Sequence, residues 1–380
     1  MGFWYNQPLS TFETSEKSML LNTKRELLDQ HGLKNINTLL KVGMTYQIID
    51  SDLLILKYRN PIYKFILNNY YNNECHKIEY SIHTLHYFLQ NSIVILLYSH
   101  EKTIIGLIIG KKTTISIYNN CIKTINVNFL CIDQCYREQS INIILIRLLI
   151  NTAVNLDYLS AFYTVDHFLS CSSFSYKFYY HRPINIKKLQ QVEFLSENSI
   201  FNKNLYNTYN YSKIFKQNYS IKKINHSDQD SLDYLQIVNL LNNYNNNNTS
   251  IYECMSILDI NRIIKNNAFL TYIMYDNCNQ ILGIFIFHVT HQQLQNTTLK
   301  DALLYKYAIN LDLGQSDYLH FCIETIAEFN DVDMLSIQDS FPSNILRQMK
   351  FIKGTGYLKH YAYNFNISYI PSDLNGLVTL

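Results

Sequence analysis

The chain predicts an α+β fold of two fused halves, because one order of elements can be read twice along it. Strand-like alternation runs through residues 92–98, 103–109 and 113–132, and an apolar set at helical spacing follows from Ser140. Strand, strand, strand, helix and strand return between residues 269 and 337, with no repeat of residue identity. Length is the third observation: 380 residues, 47% of them hydrophobic, suffice for two cores. The expected architecture is a continuous mixed, mostly antiparallel sheet flanked by helices, divided into residues 1–205 and 206–380.

Composition narrows the function. A net charge of +2 comes with basic residues scattered rather than gathered, which speaks against nucleic acid as a partner. Eight cysteines contain no C-x-x-C pair, so reduced thiols are expected and a zinc ribbon or disulfide framework is not. His83/His86 and His288/His291 are three apart but outside H-E-x-x-H, and no metal role is assigned to them. No run approaches the roughly 20 apolar residues of a membrane span. No cleavable signal peptide is recognised either, so a cytoplasmic setting is expected.

Taken in order, Trp4, the single Trp, sits beside Phe3, an aromatic pair expected either to fray or to cover an apolar ligand. Residues 61–71 read as a helix with Pro61 near its first turn. Ile125, Val127, Phe129 and Cys131 alternate with Asn126, Asn128, Leu130 and Ile132, which predicts a strand. Seven polar-leaning residues follow, and Ser140 offers a side-chain oxygen as N-cap for a helix carrying Ile141, Ile144, Leu145, Leu148 and Leu149. Such a helix start presents unpaired N–H groups and the positive end of the dipole, the setting in which a pyrophosphate binds. Residues 161–165 form the next strand, and the Asn/Tyr/Ser-rich stretch 196–219 reads as the junction. A helix is expected from Ser227 to Tyr244, with Asp230 at capping-box spacing, then a solvated loop at residues 245–248. A short helix near 256–265, strands at 269–275, 281–290 and 304–309, a helix at 316–329 and a strand at 334–337 complete the second half. Gly354 and Gly356 suit a tight turn or close backbone approach, and the apolar tail Leu377-Val378-Thr379-Leu380 is expected to tuck inward.

The string Asn128-Phe129-Leu130-Cys131-Ile132, followed by Arg137 and Leu145-Ile146-Arg147, resembles the acyl-CoA-binding core of the N-myristoyltransferases. In that family NFLCV leads through a basic loop into a helix containing LIR. The likeness continues in chain order. Phe3, Trp4, Gln7 and Pro8 match F-W-x-x-Q-P-V, and Tyr163-Thr164 match the start of Y-T-A-G. Tyr179-Tyr180-His181-Arg182 with Asn185 and Lys188-Leu189 resembles Y-W-H-R-x-x-N-x-x-K-L. Lys350-Phe351, Gly354-Thr355-Gly356, Leu358, Tyr361 and Tyr363-Asn364 resemble K-F-G-x-G-D-G followed by L-x-x-Y-x-Y-N. There are departures. The family's acidic run after N-Y-V shrinks to Glu74, Val165-Asp166 replace Ala-Gly, Arg137 alone is cationic in the basic loop, and Thr355 stands in place of an Asp.

The resemblance implies two fused acetyltransferase-like (GNAT) halves and an acyltransferase that moves a myristoyl group from myristoyl-CoA to the N-terminal glycine amine of proteins. Myristoyl-CoA is then a co-substrate held by Phe3, Trp4, Phe129, Leu130, Cys131, Ile132, Arg137, Ser140, Ile141 and Asn142, with no permanently bound cofactor. Peptide contacts are implied for Tyr70, Tyr71, His76, Ile78, Tyr80, Asn128, Tyr179, His181, Tyr305, Gly354 and Gly356. The α-carboxylate of Leu380 is the implied base, helped by Thr164 and Asn128, and the backbone amides of Phe129 and Leu130 are the implied oxyanion donors. The expected partners are myristoyl-CoA and N-terminal Gly peptides, met by a monomer. Two alternatives stay open: a same-fold acyltransferase with another acyl group or acceptor, and a non-catalytic binder of acyl-CoA or peptide.

Overall fold

The computed structural model describes residues 7–9, 19–50, 52–70, 76–167, 169, 171–195, 219–224, 232–294, 297–310, 314–329 and 332–380. Two compact units are interleaved along the chain. The first comprises Met1–Asn72, Thr84–Tyr176 and Leu358–Ile370, and the second Asn73–His83, Lys177–Tyr357 and Pro371–Leu380. The expected mixture of helices with mixed, mostly antiparallel sheet is found in each.

The first unit holds strands β1 (Met19–Leu20) and β2 (Thr45–Ile49), with helices α1 (Lys24–His31), α2 (Leu33–Asn37) and α3 (Asp52–Asn69) around them. Beyond β3 (His76–Glu79), which belongs to the second unit, helix α4 (Ile82–Leu89) leads into β4 (Ser92–Tyr98), β5 (Ile104–Ile117) and β6 (Asn120–Ile132). The order β2-β4-β5-β6 is antiparallel throughout. Helix α5 (Ile141–Asn155) follows, and β7 (Ala161–Val165) then joins β6 in parallel. The apolar stripe of α5 explains its placement: Ile141, Ile144, Leu145, Leu148 and Leu149 pack with Ile93, Ile95, Ile105, Ile108 and Ile125 of the strands. Each fully buried Leu or Ile contributes about 1.5–3 kcal/mol. Gly110 permits this approach, since a Cβ there would stand 2.7 Å from both Ile125 Cγ2 and Leu149 Cδ1.

The second unit contains β8 (Ser175–Pro183), β9 (Tyr219–Lys223), β10 (Ile251–Glu253), β11 (Phe269–Asp276), β12 (Ile281–Leu294), β13 (Thr297–Ile309), β14 (Met334–Gln338) and the first part of β15 (Ile352–Tyr363). Strands run in the order β15-β8-β14-β13-β12-β11-β9, with β3 also on β12 and only β13–β14 among the registered pairs parallel. Its core is aromatic: Tyr272 stacks on Phe285 at 5.7 Å, and Phe285 meets Tyr318 of the helix Gln315–Phe329 edge-on at 5.4 Å.

Several sequence expectations are corrected. Pro61 lies inside α3, which begins at Asp52, not at its first turn. The Asn run is not a loop: the helix Tyr234–Asn248 continues through it, and the amides of Asn245 and Asn248 donate to the carbonyls of Leu241 and Tyr244 one turn back. That helix is capped by Asp233, which accepts from Gln236 N–H at 2.9 Å, while Ser227 and Asp230 lie outside the described residues. Ser140 precedes α5 as expected, but its side chain makes no cap. It takes the left-handed conformation at φ 60°. Gly354 and Gly356 lie within β15 rather than in a turn.

Candidate active site

The NFLCI string forms the end of β6, and the strand breaks its own regularity there. Register on β5 runs Leu107↔Cys131 and then Ile109↔Asn128, so one extra residue is inserted on β6. Phe129 adopts φ 50°, a left-handed conformation that a bulky side chain avoids. Such strain costs about 1–3 kcal/mol and persists only where surroundings over-determine it. Here they do: the Phe129 side chain is buried, with the Tyr70 ring at 5.2 Å and the Phe88 ring edge-on at 5.0 Å. On the other side β6 pairs with β7 at Ile125↔Ala161 and Asn126↔Phe162, and the registered pairing stops before the bulge. Backbone at Phe129 and Leu130 therefore lies where β6 has left a regular ladder. Leu130 is exposed, Cys131 is buried, and burial pushes the Cys131 thiol up to about 12. Asn128 donates through its amide to the Asn126 carbonyl at 3.1 Å. Thr164 sits on β7 opposite His360.

Between β6 and α5 the backbone turns through Gln134–Tyr136 and then through left-handed Glu138 and Ser140. Because the Ser140 side chain makes no capping bond, the first N–H groups of α5 receive no acceptor from it. Such a start attracts anions. Ile141 is sunk in the core, so only its backbone can serve a ligand; Asn142 is half-buried. Arg137 is committed to the protein, donating through Nη2 to the Asn69 carbonyl at 2.9 Å and through Nε to the Ile132 carbonyl at 3.4 Å. A second cation escaped the sequence reading. Lys41 Nζ reaches Gln139 Oε1 at 2.7 Å, and no motif signals that approach from 98 residues away.

In the second unit, Tyr179 and His181 stack on one face of β8, 6.3 Å apart and nearly parallel, and Phe194 closes on His181 edge-on at 5.7 Å. His181 Nδ1 lies 2.7 Å from Ser336 Oγ, and Ser336 Oγ lies 2.7 and 2.8 Å from the carboxyl oxygens of Asp301. Burial lowers His181 to about 4 and raises Asp301 to about 7, against the opposing Ser336 hydrogen bond. Gly354 is required beside this cluster: a Cβ would meet His181 Nε2 at 2.9 Å and the Tyr179 carbonyl at 3.1 Å. At Gly356 a Cβ would meet nothing within 4 Å.

The tail is held at Gly376, Leu377 and Thr379. Gly376 N–H donates to the Ile251 carbonyl at 2.8 Å, and the Leu377 carbonyl accepts from the wholly buried Lys177 ammonium at 3.0 Å. Desolvation lowers Lys177 to about 7, although Asp339 pulls the other way. Gln338 imitates a strand neighbour: its amide donates to the Thr379 carbonyl at 2.7 Å and accepts from Thr379 N–H at 3.2 Å. Lys177 and Gln338 were also missed in the sequence, since nothing local marks a side chain as a tail clamp.

Other expected contacts fall elsewhere. Tyr305 is buried against Phe269 at 5.5 Å, with Lys306 Nζ 4.8 Å from its ring, and is part of the core. Tyr80 is half-buried after β3. His76 and Ile78 pair with Leu294 and Gln292 through β3, their side chains falling outside the description, as do Phe3, Trp4 and Tyr71 altogether. Among the described residues no cluster of His, Cys, Asp and Glu suits a metal, and no helix is long and apolar enough to cross a membrane.

Comparison with known proteins finds the same fold. The family model for "Myristoyl-CoA:protein N-myristoyltransferase, N-terminal domain" matches residues 29–175, which contain the bulged strand and α5. A glycylpeptide N-tetradecanoyltransferase of Plasmodium falciparum is 22% identical over 399 residues, covering 100% of this chain and 93% of that one. Its counterpart from Aspergillus fumigatus is 24% identical over 294 residues, covering 72% of this chain and 59% of that one. The crystal structure of Saccharomyces cerevisiae N-myristoyltransferase with bound myristoyl-CoA superposes with a TM-score of 0.83 at 17% identity, covering 100% of this chain and 93% of that one.

Proposed function

We infer that the chain is a divergent member of the N-myristoyltransferase family, and from that premise we propose that it transfers a myristoyl group from myristoyl-CoA to the N-terminal glycine amine of proteins. The observation that carries the proposal is the strained bulge at Phe129, on the string that resembles the family's acyl-CoA core. The amine nitrogen attacks the thioester carbon, the C–S bond breaks, and the CoA sulfur leaves with a proton. Charge develops on the thioester oxygen, and the N–H groups of Phe129 and Leu130 are its proposed donors; one such donor contributes about 2.7–4 kcal/mol to an acyl transfer. The N–H groups at the start of α5, with Lys41 nearby, are the proposed seat of the CoA phosphates. Burying some 13 methylene groups at roughly 0.8 kcal/mol each offers about 10 kcal/mol gross for holding the acyl chain.

A glycine α-amine with a pKa of roughly 7.7–8 starts largely protonated. The α-carboxylate of Leu380 is the proposed base. At an ordinary pKa of about 3.5 it is weak, so it must be desolvated to act. The anchoring of Leu377 by Lys177 and of Thr379 by Gln338 supports that role, because a base must be held still. Asn128 and Thr164 are proposed to orient the amine, and Tyr179, His181 and the strand at Gly354 and Gly356 to line the peptide path. The enzyme is proposed to work as a cytoplasmic monomer.

Mass spectrometry of protein incubated with myristoyl-CoA and Gly-starting peptides tests the reading. Myristoylated peptide is expected, and extension by one residue beyond Leu380 is expected to abolish turnover in a protein that still folds. Bound myristoyl-CoA with no turnover on any peptide would instead identify an acyl-CoA binder.

A further inference from the structure

Ser336 Oγ stands between two partners that compete for its single hydrogen. On one side are both carboxyl oxygens of Asp301, on the other Nδ1 of His181, all within 2.8 Å. Three neighbouring strands hold the group, with Asp301 on β13, Ser336 on β14 and His181 opposite Ser336 on β8. An ionised Asp301 takes the hydroxyl hydrogen in a charge-assisted bond. Nδ1 of His181 must then carry the ring hydrogen and donate to Oγ, leaving a lone pair on Nε2. A protonated Asp301 donates to Oγ itself and releases the hydroxyl hydrogen toward Nδ1. Nε2 then carries the ring hydrogen. Because Nε2 is the atom that crowds the Cβ position of Gly354, the change is presented to that strand.

We propose that Asp301 and Ser336 are positioning residues that decide, by the proton they share, whether His181 offers a hydrogen-bond acceptor or a donor beside Gly354. The proposal rests on the reading of His181 as part of the peptide path. Burial raises Asp301 to about 7, inside the working range of a cytoplasmic enzyme, whereas His181 is lowered to about 4 and stays neutral there. Other charged or titratable groups lie on the adjoining elements, among them the buried His288 opposite Leu303 on β12, which burial lowers to about 3. On β12, Gln292 Nε2 is 3.5 Å from the carboxyl, and His291 stands opposite Lys300 and Glu79. Asp333 is held by Lys188 Nζ at 2.6 Å and by the Lys300 N–H at 2.8 Å. Arg182 on β8 faces Leu335 in the register. Desolvation, not any of these charges, dominates the Asp301 shift.

The test is nitrogen NMR of the full chain with labelled histidine, assigning His181 by its loss in H181N and titrating between about pH 5 and about pH 9. The wild-type ring is expected to pass from Nε2–H at the acid end to Nδ1–H at the alkaline end. D301N is expected to hold one tautomer throughout, S336T to retain the change and S336A to lose it. In parallel, peptide KM is expected to shift about fivefold across the same range in wild type and to stay flat in D301N, with kcat following one profile in both. A wild-type tautomer that does not change, or a D301N ring that titrates like wild type, overturns the proposal. The spectra need no turnover, so an inactive protein would refute the transferase reading alone, and an active one with a fixed tautomer would refute this inference alone.

Discussion

The bulge of β6 and the polar cluster beside β15 hold their functional atoms by opposite means. At the bulge the proposed working groups are backbone N–H, and what fixes them is apolar: Phe129 wedged between Tyr70 and Phe88. At the cluster the proposed working group is a ring nitrogen, and what fixes it is a buried hydroxyl and carboxyl. Apolar wedging tolerates drift in neighbouring side chains, since any ring of similar size fills the space. Buried hydrogen bonds do not, because removing one partner leaves the other unsatisfied at about 1–3 kcal/mol. The two regions should therefore fail differently.

The largest effect is expected at the wedge. F129A should cost about 3–5 kcal/mol in denaturant unfolding and abolish acyl-CoA binding. F129G should recover about 1 kcal/mol of that, because glycine accepts the positive φ that alanine resists. A glycine variant no more stable than the alanine one would break the claim of strain. Next, Q338A removes both bonds to Thr379 and should lower turnover about 30–100-fold, with acyl-CoA affinity unchanged by calorimetry. Unchanged turnover would mean that Lys177 and the Gly376–Ile251 bond hold the tail without Gln338.

A finer comparison lies within the glycine pair. G354A pushes a methyl onto His181 and should raise peptide KM about tenfold, while G356A meets open space and should change it by less than about twofold. Equal effects would place the selective contact elsewhere. The smallest effect is expected for Lys41. K41A should weaken acyl-CoA binding by about 0.5–1 kcal/mol, a difference that shrinks at high salt because Lys41 is exposed.

These regions also differ in how much of them could be read beforehand. Strand alternation and the α5 stripe gave the β-β-β-α order, and 161–165 was placed residue for residue. Patterns of that kind are local, because the periodicity of side chains along a strand or helix is set by consecutive residues whatever the element then packs against. Non-local geometry was hidden. Asp301, Ser336 and His181 come from three strands, and Gln338 meets Thr379 across 41 residues, so no window of sequence contains either set. Ser140 failed for another reason. A serine before a helix is a good cap only with extended backbone, and in the left-handed turn here its side chain makes no capping bond. The Asn run misled because composition was read as solvation, whereas the Asn245 and Asn248 amides satisfy carbonyls of their own helix.

Cys131, two residues past the bulge, limits the order of chemical events. Its thiol is buried, and that burial pushes its pKa up to about 12, which makes it a poor nucleophile toward the proposed thioester. An acyl group is therefore not expected to be parked on this sulfur, and departure of CoA ahead of the acceptor is not expected by that route. Double-reciprocal plots against the two substrates should accordingly intersect rather than run parallel, and iodoacetamide should spare Cys131 while it labels the exposed Cys135.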